Sequence, residues 1–381
     1  MKYMSSSNTC LISNSTKRNM NWKNSFGAFV YLLALTSCNS QSVHDLSVPV
    51  EVIDFASLEQ VDISSFPDRD NVDYVLLKSD GKELFGRIDK AKIVGDKIYI
   101  ADTRLRSLVV YDHTGNTLAQ VGVRGQGPKE YVNLSDFDVT PQEDIYVLDG
   151  RLNKILHYNS DFECTAEHLL PFAADVLAAL DNDSLLFGLS SWNMRDGAGY
   201  KIALTDKSGK ISRTCLEYDE FTDPAYWISD YRFAEAAGGQ LAYNQTISNY
   251  VYLFSPEGEL KKAFYLDFGK ENVPDADKME IESKLTNYDN YTLIRKILAV
   301  TDKYLIGFIW KHRQTKLFVI DYVAKKCYLG ETIADTDRRC GCGYSDGKLI
   351  SYIDSEDESL PDSVNQFVEN EGIALKIQRI R

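Results

Sequence analysis

Short apolar segments separated by turn residues recur along most of the chain. The segments "IYIAD" (98–102), "SLVVYD" (107–112) and "TLAQVG" (117–122) carry β-branched and aromatic residues at roughly alternate positions. Alternation of this kind, bounded by Gly, Asn and Asp, is typical of strands joined by hairpins. The pattern therefore predicts antiparallel β-structure, with glycine at the left-handed position of turns such as "DHTGN".

The segments repeat at an interval of 47 residues. Residues 97–122 align with 144–169 in the frame I-Y-[IV]-x-D-x-R-L, which matches Arg104 with Arg151. Looser copies occupy 200–218 and 250–268, and a strand such as "KAKIV" precedes each set. A four-stranded unit of roughly 45 residues that cannot bury its faces alone is the blade of a β-propeller.

Six such units are predicted from their second strands. These strands are "IYIAD" at 98, "IYVLD" at 145, "SLLFG" at 184, "QLAYN" at 240, "YLIGF" at 304 and "LISYI" at 348. The sixth unit lacks a fourth strand of its own, so we expect "YVLLKS" or "VEVIDF" from the N-terminal part to complete it and close the ring.

The predicted fold is therefore all-β: a six-bladed β-propeller of four-stranded antiparallel blades over residues 50–381. Helix formers and spaced apolar residues within 273–297 predict a short helical insertion between blades 4 and 5. We expect 354–372 to be a long loop that returns to the last strand, 373–380.

The N-terminal residues have the pattern of a targeting segment. Lys17, Arg18 and Lys23 precede the apolar run "FGAFVYLLAL", which is too short to span a bilayer. The quartet "LTSC" ending at Cys38 resembles the bacterial lipobox, which implies cleavage before Cys38 and lipidation of its thiol. We predict a lipoprotein signal peptide over 1–37 and a flexible tether over 38–49. Translation from Met1 and from Met20 both remain open.

Charge excludes one class of partner. The chain has a net charge of −14, and removal of residues 1–37 lowers it to −18. Nucleic-acid binding needs a basic surface, so we expect no nucleic-acid partner.

The repeats resemble NHL-type repeats. The stretch "GQGPKEY" followed by "DFDV" and "DIYVLD" is similar to the six-bladed β-propeller lipoproteins common in Bacteroidota, with the match strongest in 85–170. The resemblance implies a propeller fold and a cell-envelope location, and for most members of that family it implies no established activity.

Metal and cofactor sites find no support in the sequence. There is no C-x-x-C pair and no H-E-x-x-H motif among the cysteines and histidines. Cys340 and Cys342 could hold a metal or form a strained disulfide, although a turn and a core position are favoured. The acidic runs "ADTDRR" (334–339) and "DSEDES" (354–359) do not fit an EF-hand and are interpreted as solvated loops.

Two motifs that suggest catalysis or phosphate binding have structural interpretations. Residues 343–347 match G-x-S-x-G, but a strand follows where a nucleophile elbow needs a helix, so we predict a hairpin turn. The stretch "RGQGPKEY" (124–131) contains Pro128, which has no N–H, and also precedes a strand. We predict a crossing between blades 1 and 2, and no catalytic residue is assigned.

The predicted topology gathers cations and aromatic side chains at one end of the ring. In an antiparallel blade, the turns between second and third strands lie at the same end as the crossings between blades. Arginine offers a fork for carboxylate or phosphate, and tryptophan a flat face for a sugar or a cation. The alternative for Arg104 and Arg151 is pairing with a carboxylate of a neighbouring blade. The candidate ligand-binding residues are Arg104, Arg106, Arg124, Lys129, Arg151, Trp192, Arg195, Trp310 and Arg313.

Three functions remain open at this stage. The favoured one is a lipid-anchored binding module of the cell envelope for an anionic glycan or peptide, without enzymatic activity and without a cofactor. The alternative is a hydrolase or lyase acting on a glycan or peptide at the axial mouth of the propeller. A third is a structural subunit of an envelope complex. "NSQSVHD" after Cys38 lacks an acidic cluster resembling surface-export signals, which favours the periplasmic side of the outer membrane.

Overall fold

Antiparallel hairpins account for most of the chain that the structure describes. The computed structural model describes residues 46–67, 69–79, 86–180, 183–222, 233–245, 247–333, 341–370 and 372–380, all within the unit Asp45–Arg381. The predicted signal peptide, Cys38, most of the tether, "ADTDRR" and Cys340 lie outside the described residues.

The described strands form four sheets of four strands, one ten-stranded sheet and one parallel pair. We label the runs of four antiparallel strands A to F; two of them, D and E, lie in the ten-stranded sheet. Three strands precede group A: β1 (Val50–Asp54), β2 (Glu59–Asp62) and β3 (Arg69–Leu77). Group A contains β4 (Lys90–Val94), β5 (Lys97–Asp102), β6 (Ser107–Asp112) and β7 (Thr117–Gln120). The short parallel pair β8 (Val123–Arg124) and β9 (Glu130–Tyr131) follows. Group B contains β10 (Asp136–Val139), β11 (Ile145–Asp149), β12 (Lys154–Tyr158) and β13 (Cys164–Leu169).

The remaining groups follow the same order. Group C contains β14 (Ala174–Ala179), β15 (Ser184–Leu189), β16 (Tyr200–Asp206) and β17 (Ile211–Glu217). Group D contains β18 (Phe233–Ala236), β19 (Gln240–Tyr243), β20 (Tyr250–Phe254) and β21 (Leu260–Asp267). Group E contains β22 (Thr292–Val300), β23 (Tyr304–Lys311), β24 (Gln314–Asp321) and β25 (Lys326–Ile333). Group F contains β26 (Gly343–Ser345), β27 (Lys348–Ile353), β28 (Ile373–Ile380) and, as its fourth strand, β3.

Helices are few and short in the described residues. The α-helices are α1 (Ile281–Lys284) and α2 (Asp362–Glu369). Single 3-10 turns occupy Phe55–Ser57, Ile63–Ser65, Ala237–Gly239, Gly269–Glu271, Asp275–Asp277 and Asn287–Asn290. The predicted helical insertion is therefore present as α1 and three 3-10 turns between β21 and β22. The expectation of an irregular loop over 354–372 is wrong because α2 forms there, with Val364 and Val368 buried. None of the described helices is long and apolar enough to cross a membrane.

The first strands of the six groups contact one another in a closed cycle. β4 contacts β10, β10 contacts β14, β14 contacts β18, β18 pairs with β22, β22 contacts β26, and β26 returns to β4. The parallel pair of β18 with β22 joins groups D and E into one ten-stranded sheet, whose edges receive β1 and β2. The prediction of a mostly β, propeller-like fold is confirmed.

The hydrophobic core lies between successive groups. One cluster lies between A and B, others between B and C, C and D, D and E, and E and F, and another between F and A. Both faces of each group are therefore covered. For this reason β5 and β11 are buried at nearly every position instead of at alternate ones.

The N-terminal strand that completes group F is β3, which pairs antiparallel with β28. Of the two predicted candidates, "YVLLKS" thus supplies the fourth strand. The other candidate, "VEVIDF", contains β1, which instead pairs in parallel with β21 of group D.

The hairpin turns between third and fourth strands have the predicted chemistry. Gly115, Gly209 and Gly258 all have φ near +80°. A Cβ at Gly115 would lie 2.0 Å from the carbonyl oxygen of Leu76, so glycine is required there for close packing against β3 as well.

Candidate binding face

The predicted ligand-binding residues share one end of the four-stranded groups. We call this the crossing end; it contains the turns 103–106, 150–153, 190–199 and 312–313 and the crossings 121–135, 170–173 and 268–291. Hydrogen bonds tie turns and crossings together in several groups. In group D, for example, Asn249 Nδ2 donates to Asn272 Oδ1 at 2.6 Å.

A buried aspartate at the end of the second strand builds this end in groups A and B. Asp149 is fully buried, and its carboxylate accepts hydrogen bonds from the N–H groups of Val132, Asn133, Arg151 and Leu152 at 2.7 to 3.2 Å. Asp102 binds the N–H groups of Gly86, Arg87 and Leu105 in the same way. The repeated Asp is therefore structural: it joins its own turn to the preceding crossing.

The repeated arginines do not share the structural role of the repeated aspartates. Arg104 and Arg151 are exposed, and neither has an ion-pair partner in the part of the chain that the structure describes. The alternative of pairing with a neighbouring carboxylate finds no support there. Arg106 is half-buried with φ of +56°, and its carbonyl accepts a hydrogen bond from the Tyr131 hydroxyl at 3.1 Å.

The stretch "RGQGPKEY" is a crossing between groups A and B, as predicted. Glu130 accepts a hydrogen bond from the Gly127 N–H at 2.8 Å, and Tyr131 is buried against group A. Lys129 Nζ donates to the carbonyl of Cys164 at 2.8 Å, and the Lys129 N–H donates to Glu167. Lys129 therefore fixes the crossing to group B, whereas Arg124 is exposed and has no ion-pair partner among the described residues.

The long turn of group C carries two more candidates on a fixed backbone. Asn193 is buried, and its Oδ1 accepts from the N–H groups of Ala173 and Arg195, while its Nδ2 donates to the Asp196 carbonyl at 2.9 Å. Trp192 and Arg195, on either side, are exposed.

The candidates in group E are engaged within the protein. Trp310 packs with a small cluster that includes Val273, Tyr288 and Leu293, and Arg295 lies 5.8 Å from its ring. Arg313 forms an ion pair with Asp289. These contacts place both side chains among structural interactions of the insertion between D and E.

A second candidate site lies between the first strands, near the axis where the sequence analysis placed the alternative hydrolase or lyase activity without assigning residues. A cavity of about 60 Å³, enough for roughly four water molecules, is lined mainly by first strands of all six groups. Its charged lining residues are Lys90, Lys92, Asp138, Glu235 and Lys296. The signal was present in the repeat, because Lys90–Asp136, Lys92–Asp138 and Lys97–Glu143 are each 46 residues apart.

Burial and pairing determine the charges in this cavity. Burial alone would raise the pKa of the Asp138 carboxyl, but Lys92 at 2.6 Å, Lys90 and the N–H of Ala179 together hold that pKa below its ordinary value. Burial raises the pKa of the Glu235 carboxyl against the attraction of Lys92. The cavity thus contains the ionised pair of Lys92 and Asp138 beside the Glu235 carboxyl group, which is harder to ionise.

The other motifs take structural roles. Ser345 is buried at the end of β26, and its hydroxyl accepts a hydrogen bond from the Ile93 N–H at 3.2 Å; Asp346 and Gly347 form the hairpin turn. Cys342 is buried, and its thiol donates a hydrogen bond to the Ile350 carbonyl at 3.5 Å. No cluster of His, Cys, Asp and Glu suited to a metal ion occurs within the described segments.

Solved structures support the fold. A protein of Bacteroides fragilis described as exported is 18% identical, with a TM-score of 0.69 over 88% of this chain and 100% of its own. A member of the DUF4221 family from Bacteroides vulgatus is 9% identical, with a TM-score of 0.54 over 82% and 97%. A virginiamycin B lyase of Staphylococcus aureus is 11% identical over 81% and 100%, and its TM-score of 0.44 is too low to bear on function.

Sequence comparison gives the family. None of the curated proteins matches the chain. The model of the family described as "Domain of unknown function (DUF4934)" matches residues 50–360, which is most of the predicted propeller. The chain belongs to the DUF4934 family.

Proposed function

We propose that this protein is a lipid-anchored, six-bladed propeller of the cell envelope that binds an anionic glycan or peptide at its crossing end. Groups A to F would each be one blade, with D and E counted separately although β18 and β22 pair. The closed cycle of first strands and the core clusters between successive groups support this count.

One observation carries the binding proposal. On a chain of net charge −14, Arg104, Arg124, Arg151 and Arg195 are exposed at one end without an ion-pair partner among the described residues, and Trp192 lies beside them. Unpaired guanidinium groups attract carboxylates and phosphates, and retained exposure of a tryptophan is typical of binding surfaces.

The proposed location rests on the sequence. The lipobox-like quartet ending at Cys38 supports a lipid anchor in the outer membrane, and the lack of an acidic cluster after Cys38 favours the periplasmic side. Labelling with a palmitate analogue, lost in Cys38→Ser, tests the anchor; protease treatment of intact cells tests the side.

A thermal-shift and calorimetry screen of the mature protein against acidic oligosaccharides and peptidoglycan fragments tests binding. A true ligand is expected to lose about 10-fold or more in affinity when Arg151→Ala and Arg195→Ala are combined. Lys325→Ala, an exposed cation in a turn at the opposite end, is the matched control. Affinity that survives the double substitution would place the ligand elsewhere.

The axial cavity does not favour the hydrolase or lyase alternative over binding. Its Glu235 carboxyl has the raised pKa expected of an acid catalyst. The cavity volume of about 60 Å³, however, is far below the roughly 300 Å³ at which ligand pockets begin.

A further inference from the structure

Four large apolar side chains are exposed together at the crossing end of groups B and C. Leu152 is 37% exposed, Leu169 75%, Trp192 54% and Met194 87%. We call these four residues the apolar patch. Single exposed hydrophobic residues are ordinary, but a contiguous set marks an interaction site.

Backbone hydrogen bonds bring together the chain segments that carry the four residues. Leu169 pairs with Lys154 in the sheet, and the Leu170 N–H donates to the Asn153 carbonyl at 2.7 Å, which places Leu169 beside the turn that carries Leu152. The Asp196 N–H donates to the Pro171 carbonyl at 3.3 Å. This bond draws the turn that carries Trp192 and Met194 over the crossing that follows Leu169.

Backbone hydrogen bonds hold the turn that carries Trp192 and Met194. The Ala173 carbonyl accepts from the Ser190 N–H at 3.0 Å, and the Ser190 carbonyl accepts from the Asn193 N–H at 2.9 Å. Together with the buried Asn193 amide, these bonds fix the backbone on both sides of Trp192 and Met194. A fixed backbone lowers the entropic cost of binding, as is typical of a surface prepared for a partner.

Charge and chemistry define the partner. Arg151 precedes Leu152, and Arg195 follows Met194; Asp196 is an exposed acid next to Arg195, and Glu217 is another at the same end of group C. Glu167 is occupied by Lys154 and by the Lys129 N–H. The free cations therefore favour acidic residues in a ligand, whereas leucine and methionine favour aliphatic or aromatic side chains.

Together these features point to a peptide. We infer that the apolar patch and its two arginines bind an acidic segment of a partner protein that also carries apolar side chains. This inference rests on the proposed function and specifies its ligand.

A glycan fits the patch less well. Sugar hydroxyls are recognised by free side-chain amides and carboxylates, but the Asn193 amide is buried and its Oδ1 accepts two N–H groups of the loop. Among the four patch residues, tryptophan alone offers a flat face for a sugar ring.

The test is a peptide-display selection against the immobilised mature protein, using a library of random 12-residue peptides. We expect enrichment of sequences that combine Asp or Glu with Leu, Phe or Trp. Their affinity, measured by fluorescence anisotropy, should fall by about 10-fold or more in Trp192→Ala with Met194→Ala. Arg195→Ser should weaken binding and reduce its dependence on salt.

The control is Val323→Ser, which removes an apolar side chain that is 68% exposed in a turn at the opposite end. It should leave the affinity unchanged, and thermal unfolding of all variants should match the unaltered protein. Absence of enrichment, or enriched peptides without acidic residues, would overturn the inference.

A parallel screen separates this inference from the proposed function. An acidic oligosaccharide such as oligogalacturonate, if bound and lost in Arg151→Ala with Arg195→Ala, would retain the proposed function and overturn the peptide inference. If the peptides bind the variant with Trp192→Ala and Met194→Ala as well as they bind the unaltered protein, the proposed binding function stands. The apolar patch is then excluded as the peptide-binding site. Failure of both ligand classes would overturn both.

Discussion

A single carboxylate holds each of the first two turns of the crossing end. Asp149 is fully buried and satisfies four backbone N–H groups from two separate loops. Buried donors that lose their acceptor cost free energy because water cannot replace it.

We therefore expect Asp149→Ala to lower the free energy of unfolding by about 3 kcal/mol or more. The measurement is chemical denaturation followed by tryptophan fluorescence. The exposed Asp302 is the matched control, since Asp302→Ala should change stability by no more than about 0.5 kcal/mol. Equal effects of the two substitutions would contradict the structural role assigned to Asp149.

For single residues, the sequence predicted the end of the fold at which a side chain lies better than it predicted which residues the side chain contacts. It placed Arg104, Arg151, Trp192 and Arg195 at one end, and the structure agrees. It could not foresee that Trp310 packs inside the insertion, because the residues that cover Trp310 come from a segment without a repeat frame. Nor did it single out Met194, whose exposure depends on the hydrogen bonds of Asn193.

Between elements, two ion pairs join the first strands of groups A and B, Lys90–Asp136 and Lys92–Asp138. Lys92 on β4 pairs with Asp138 on β10, and Asp138 also accepts from the Ala179 N–H on β14 at 2.8 Å. One carboxylate thus links three consecutive groups.

Lys92→Met should lower the free energy of unfolding at pH 7 by about 3 kcal/mol, because it leaves Asp138 buried without its counter-ion. Lys92→Met combined with Asp138→Leu should recover much of this loss. Denaturation curves of the single and double variants measure both effects, and full additivity would contradict the pairing.

The same pair has a defined pH dependence. The pKa of Asp138 in the fold is below its unfolded value, so its contribution is complete above the ordinary Asp range and is lost as the pH falls through the folded pKa. Consequently the difference between the unaltered protein and Lys92→Met should shrink in acid.

At the scale of whole elements, the alternation of apolar and polar residues predicted strands correctly but did not predict how they are buried. Alternation in "IYIAD" correctly indicated a strand, yet β5 is buried on both faces because a neighbouring group covers each one. Helix α2 was missed since "DSEDES" and Pro361 before it suggested a loop, and its apolar face of Val364 and Val368 is short.

For the molecule as a whole, closure depends on the N-terminal strand β3. It covers the edge of β28 and contributes Val75 and Leu77 to the core shared by groups F and A. β1 only adds a fifth strand to group D.

A protein that begins at Ser79, and so lacks β3, should lose cooperative thermal unfolding in calorimetry. One that begins at Phe66 lacks β1 and β2 but keeps β3, and should still unfold cooperatively at a lower midpoint. A protein that begins at Asp45 serves as the reference. Comparable damage from the two truncations would contradict the role of β3 in closure.

The repeats made the overall fold easier to predict than the pairing of individual strands. The 47-residue interval identified the first two second strands, and the same pattern of strands and turns then identified the other four, because each copy must bury its faces against the next. The sequence could not decide whether β3 or β1 completes the ring, because apolar and polar residues alternate equally well in both segments. Only the strands that lie beside them in the fold distinguish the two.

The parallel pairing of β1 with β21 also sets the direction from which the chain enters the ring. β21 is a fourth strand and runs toward the crossing end, so β1 does too, and its register runs from Val50 beside Ala263 to Asp54 beside Asp267. The residue before Val50 therefore joins the ring at the middle of β21, on the side away from the crossing end and its apolar patch.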